Sequence, residues 1–232
     1  MVQNIIFRDY EKVIKAKAFT SSSADELHFI EHSLICIDKL GFIAKIYHSN
    51  EEDYLPLLSW AKNNNILHEL KSDQYLLPGF IDLHVHAPQW PNLGKALDLP
   101  LDQWLQEYTF PLEARYSDLE FTRKTYQHLV QTLLENGTTT AVYFATIHRE
   151  SSVELGRICL SLGQRALIGK VAMDDPNSCP DYYRDKSAKS AIEETHLFIE
   201  DIKNYRVMRI IKYYLLLLLV LYLVVQQSYS KD

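Results

Sequence analysis

The stretch Pro78-Gly79-Phe80-Ile81-Asp82-Leu83-His84-Val85-His86-Ala87-Pro88-Gln89 constrains this chain more than any other. His84 and His86 stand two residues apart at the end of a short apolar run. In a strand, residues i and i+2 point to one face, so two imidazole nitrogens can converge on one point and grip a divalent metal. Asp82 shares that face. Ile81, Leu83 and Val85 fall on the other face, where they are expected to pack beneath helices. A strand with one metal-competent face and one oily face fits a parallel (β/α) barrel, in which functional groups emerge at strand C-termini. His-x-His alone also fits an ordinary surface strand. Here Pro78-Gly79 marks a turn before the run and Ala87-Pro88 ends it.

The chain after this stretch repeats one rhythm. Residues 118–136 carry helical spacing with Asp118 as N-cap and Gly137 as stop. Thr138–Thr146 is a β-branched strand, 152–162 a helix, Arg165–Met173 a third strand and 188–203 a helix. Helix, glycine and β-branched strand in alternation is the βαβ pattern. Before it, residues 4–19 read as a strand or two, Ser21–Ser23 as a loop, and Leu27–Tyr47 as strands with a turn over Asp38–Gly41. Residues 51–70 read as a helix and a connector. Residues 87–103, with three prolines, read as a long loop on the chemical side of the strand. Residues 98–111 read as a short amphipathic helix lidding it.

Three segments follow: 1–77, an N-terminal β-sandwich segment and connector; 78–203, the first βα units of a barrel; and 204–232, an apolar tail. The thirteen residues 213–225 are almost all Leu, Val and Tyr. As a helix they reach about 20 Å, short of the roughly 30 Å of a bilayer core. A buried helix or strand, a short membrane anchor, or a tail foreign to the parent fold are the readings.

Composition removes several function classes. With 24 Lys and Arg against 30 Asp and Glu, the charge of −6 argues against nucleic-acid binding. No G-x-G-x-x-G or G-x-x-x-x-G-K pattern offers a phosphate cradle. Cys36, Cys159 and Cys179 are scattered and odd in number, so a disulfide framework or cysteine zinc cluster is not expected. Arg8, Asp9, Glu11 and Lys12 interrupt what a signal peptide would keep apolar. A cytoplasmic protein is the expectation.

A zinc-type ion on imidazoles lowers the pKa of a bound water to near 7. Such a centre takes about three protein ligands, and proton transfer needs a carboxylate or histidine besides. His148, at the end of the second strand, is a candidate third ligand or a substrate-lining residue. Gln89 suits the edge of a heterocyclic base, or caps its loop. Lys170 and Asp174 are candidates for metal-bridging and supporting roles, with structural roles as the alternative. Trp90, Trp104, Phe110 and Tyr143 could stack on a flat ring, or simply fill the core.

These residues resemble the amidohydrolase superfamily, and within it the guanine deaminase family. The likeness rests on the Pro78–Gln89 stretch, Leu97-Asp98-Leu99-Pro100-Leu101, Tyr108-Thr109-Phe110-Pro111, Asn136–Ala141, Tyr143-Phe144-Ala145-Thr146-Ile147-His148 and Gly163-Gln164-Arg165-Ala166, and runs to about Lys203. It implies an α/β fold with a distorted (β/α) barrel and a small β-sandwich, a homodimer, and hydrolysis of guanine to xanthine and ammonia in purine catabolism with one Zn2+ per subunit. His84 and His86 match the first two zinc ligands. His86, Ala87, Pro88 and Gln89 match the first guanine-contacting segment. The family's further zinc ligands, its acid/base glutamate and its arginine-phenylalanine pair have no counterpart here, so the catalytic set is empty. The resemblance therefore implies a truncated chain, inactive alone. A non-catalytic variant pairing with full-length subunits and a tail-anchored membrane form are the alternatives.

Overall fold

The computed structural model describes residues 7–209, which form two compact units divided between Pro78 and Gly79. The first is a sheet with one helix. Strands β1 (Tyr10–Ser23), β2 (Glu26–Asp38), β3 (Ile43–Tyr47) and β4 (Leu67–Glu69) lie in the order β3-β2-β1-β4, and β5 (Tyr75–Leu76) also pairs with β1. β1–β2 and β2–β3 are antiparallel, whereas β4 and β5 run parallel to β1. The Asp38–Gly41 turn forms as expected: the Asp38 carboxylate accepts from the amides of Leu40 (2.8 Å) and Phe42 (2.9 Å). Helix α1 (Tyr54–Asn63) buries Tyr54, Leu57 and Ala61 against Val13, Leu34, Cys36 and Tyr47 of the sheet.

Two expectations for this unit need correction. Ser21–Ser23 is not a loop but the end of β1, where Ser23 pairs with Glu26. Local hydroxyl bonds keep it there, with Ser22 Oγ donating to Glu26 Oε2 at 2.8 Å. The connector after the helix holds a strand. Asn65 turns the chain with φ 57°, and Leu67 pairs with Val13 as β4.

The second unit is built on a parallel sheet of β6 (Phe80–His86), β7 (Thr138–Phe144) and β8 (Arg165–Gly169), in that order. Three helices pack against it: α4 (Leu119–Glu135), α5 (Arg149–Leu162) and α6 (Ala188–Arg209), with Tyr126, Val130, Leu155 and Phe198 fully buried against Ala141, Tyr143 and Ile168 of the sheet. Asp118 caps α4, accepting from the amides of Glu120 and Phe121. Gly163 ends α5 at φ 84°, a left-handed turn that glycine takes without a Cβ clash. Gly79 meets a different constraint, because a Cβ there would lie 2.1 Å from Thr139 Oγ1.

Residues 87–103 are loop only over 93–100. Ala87–Asn92 is a 3-10 helix, and a near-continuous helical run follows: α2 (Leu101–Trp104), one π-turn (Leu105–Thr109) and α3 (Phe110–Ala114). The third strand is shorter than its apolar pattern suggested. β8 ends at Gly169, so Lys170 lies just past the strand rather than within it. The apolar face of β6 is also uncovered in part. Val85 packs on the core, but Ile81 is 64% and Leu83 70% exposed. Among the described residues β6 pairs with β7 on one edge only, with register irregularities on either side of Ile81-Asp82. No described helix is long and apolar enough to cross a membrane. Residues 213–225 lie outside the described residues.

Candidate functional site

The C-terminal ends of the three parallel strands gather the chemistry. β6 ends in His84 and His86, whose Nε2 atoms are 3.0 Å apart. Phe144, at the end of neighbouring β7, underlies both rings, with centroids 4.6 Å from His84 and 5.0 Å from His86. Burial, then the nearby His84, holds His86 below the usual histidine range. Such a shift favours the neutral form, the one that ligates metals. Asp82 does not join them through its carboxylate, which accepts from the His84 amide at 3.0 Å and orients the strand end.

The two rings fit a zinc ion. A proton shared between two Nε2 atoms is the arrangement a divalent cation replaces. Ligand nitrogens about 2.0–2.1 Å from a tetrahedral zinc lie roughly 3.3 Å apart, close to the separation observed. Among the described residues no third His, Cys, Asp or Glu completes a metal-binding group. His148, the candidate third ligand, lies beyond the end of β7 and directly before α5, with its ring 6.0 Å from that of Tyr183. Burial holds it below the usual histidine range, and its Nε2 is buried without a hydrogen-bond partner among the described residues.

The segment after the histidines splits by role. Ala87 is fully buried, and Pro88 is buried with its carbonyl accepting from Tyr116 Oη at 3.0 Å. These two residues fix the backbone. Gln89 is half-buried, and its Nε2 donates to Glu113 Oε1 at 3.1 Å. Glu113, on α3, also accepts from Tyr183 Oη at 2.5 Å through Oε2. Burial pushes this carboxyl above the usual glutamate range, and the two hydrogen bonds partly offset the push. Lys170 is buried past β8. Its Nζ donates to the Val171 carbonyl at 2.9 Å and lies 3.8 Å from Asp185 Oδ1, and burial holds it below the usual lysine range.

Of the aromatic candidates, Trp90 Nε1 donates to His128 Nδ1 at 2.9 Å. Tyr143 is a core residue donating to Gln164 at 2.7 Å, and Phe110 packs with Cys179 and Tyr183. All three cysteines are free and buried. Glu113 and Tyr183 are the residues that sequence reasoning missed. The available signal was an acid beside Phe110 and Leu112 in a helix opened by Pro111, but nothing local pairs it with Tyr183, seventy residues on.

The sequence profile of the amidohydrolase family matches residues 75–210, more than half of the chain, and the chain belongs to that family. It is 49% identical over 147 residues to a probable guanine deaminase of Schizosaccharomyces pombe, covering 61% of this chain and 28% of that protein. To the guanine deaminase of Dictyostelium discoideum it is 40% identical over 199 residues, covering 82% and 43%. To the human guanine deaminase it is 36% identical over 181 residues, covering 77% and 39%. The chain thus spans less than half the length of these relatives. Among solved structures, the guanine deaminase of C. acetobutylicum with bound guanine in the active site superposes with a TM-score of 0.72 at 32% identity, covering 83% of this chain and 43% of that one. The E. coli guanine deaminase gives 0.67 at 30%, with 82% and 43% covered.

Proposed function

We propose that this chain carries part of the site of a guanine deaminase, an enzyme that hydrolyses guanine to xanthine and ammonia. The observation that carries the reading is the convergence of His84 and His86 Nε2 to 3.0 Å at the end of β6, with Gln89 one turn further on. His84 and His86 would hold the zinc ion, and Phe144 keeps their rings together. Zinc, when bound, supplies Lewis acidity that makes water nucleophilic at neutral pH. Gln89 orients the base, and the buried Ala87-Pro88 backbone fixes the distance between metal and base. On this reading residues 78–203 are the first βα units of a (β/α) barrel and residues 1–77 belong to a small β-sandwich, working in the cytoplasm in purine catabolism.

Two imidazoles make a weak zinc site, so the chain alone binds zinc weakly and turns over no guanine. Zinc content after dialysis and ammonia release from guanine test this together. His84→Ala and His86→Ala should each lower zinc affinity at least about tenfold. Zinc binding unchanged in both variants would sink the metal assignment. Ammonia release by the purified, monomeric 232-residue chain would overturn the inactivity.

A further inference from the structure

We propose that Glu113, braced by Tyr183, is a positioning residue that fixes the side-chain amide of Gln89 so that its carbonyl oxygen, and not its NH2, faces a bound base. The inference rests on the reading of Gln89 as a base-binding residue and extends it to the polarity of the contact.

The amide of glutamine has two ends of opposite hydrogen-bonding character. At Gln89 the choice is made by what lies behind it. Nε2 donates to Glu113 Oε1 at 3.1 Å, and Oε1 of Gln89 accepts no hydrogen bond within the described chain. A carboxylate only accepts, so at a pH above its raised pKa Glu113 repels the flipped amide and holds the NH2 inward. Tyr183 fixes the carboxylate in turn. Its phenol is fully buried, and desolvation and the adjoining carboxylate keep it protonated far above neutral pH, so it must donate to Glu113 Oε2, at 2.5 Å. The carboxyl plane is thus held at both oxygens, by Gln89, 24 positions earlier in the chain, and by Tyr183, 70 positions later. The exposed end of Gln89 is an acceptor. It pairs with a ring N–H, as on the lactam edge of an oxopurine, and not with a bare ring nitrogen.

The test is side-chain amide NMR on the full 232-residue chain, labelled on glutamine, with Gln89 assigned by its loss in Gln89→Glu. Gln127, exposed on α4, sets the unprotected reference. Gln164 is the folding control, since its buried Nε2 donates to the Thr138 carbonyl at 3.0 Å. In the wild type the Gln89 NH2 should exchange about tenfold more slowly than that of Gln127. Glu113→Gln and Tyr183→Phe should remove most of that protection and leave Gln164 unchanged. Exchange as fast as Gln127 in the wild type overturns the proposal, and so does full protection in Glu113→Gln with Gln164 intact. Where Glu113→Gln loses the Gln164 protection it has not folded, and the wild type and Tyr183→Phe decide.

Ligand polarity is read separately from the Gln89 carbonyl carbon shift. Hypoxanthine, which keeps the ring N–H of an oxopurine and dissolves better than guanine, should move it. Unsubstituted purine, whose six-membered ring has no N–H, should not. An equal response to both overturns the acceptor polarity. No response to hypoxanthine, with the Gln89 amide still protected, counts against the base-binding reading and leaves the Glu113 clamp standing.

Discussion

At Glu113 the chain buries a carboxyl group on the same short helix as the buried Phe110 and Leu112, and the cost shows in its raised pKa. The folded state holds that proton more tightly than an unfolded chain does, where the group sits at its ordinary 4.5. Its contribution to stability is therefore fully present below the unfolded pKa and is lost as pH rises through the higher folded pKa. Glu113→Gln removes this dependence. The wild-type minus variant unfolding free energy, followed by urea denaturation from about pH 4 upward, should fall with rising pH, and a flat difference would mean that burial does not perturb Glu113. Gly79 gives a second residue-level expectation. A methyl there must displace Thr139, so Gly79→Ala should destabilise its unit by about 1–3 kcal/mol. The denaturation midpoint read at Trp90 and Trp104 in a Trp60→Phe background checks it.

Elements follow from capping and pairing. Asp118 satisfies two otherwise orphaned amides of α4, and Asp118→Ala should cost about 1 kcal/mol without changing the m-value. Helix α4 was legible in the sequence because 3.6-residue spacing, an N-cap and Gly137 all agree. β8 was less legible. Ala166 to Met173 is apolar apart from Gly169 and Lys170, yet the strand stops at Gly169, and beyond it a single backbone bond, from the Val171 amide to the Thr146 carbonyl at 3.1 Å, continues toward the β7 side. The same absence of a local signal hid β4, a three-residue strand defined only by its partner β1.

For the whole molecule, the described sheet ends at β6 with an apolar surface in water. Phe80, Ile81 and Leu83 are each at least 64% exposed, and contiguous exposed apolar side chains promote association. Leu83→Lys should reduce concentration-dependent light scattering and leave the denaturation midpoint within about 0.5 kcal/mol. An unchanged scattering profile would place the association elsewhere. The metal and base readings also belong to this scale, because zinc affinity depends on how many ligands the folded assembly brings to His84 and His86.

The sequence by itself determined what lies within one strand or one helix: the shared face of His84 and His86, the Asp118 cap, the Gly137 stop and the α/β alternation. Those features depend on spacing of a few residues, which backbone geometry converts directly into direction. Tertiary structure alone decided which buried polar groups meet. Gln89, Glu113 and Tyr183 come from three separate segments, and no periodicity links them. Whether β6 has a covered apolar face was also decided there, since alternation shows which side is oily but not whether anything packs upon it. The His84–His86 pair was legible because two residues of one strand make it; the clamp behind Gln89 was not, because it exists only after the chain has folded back on itself.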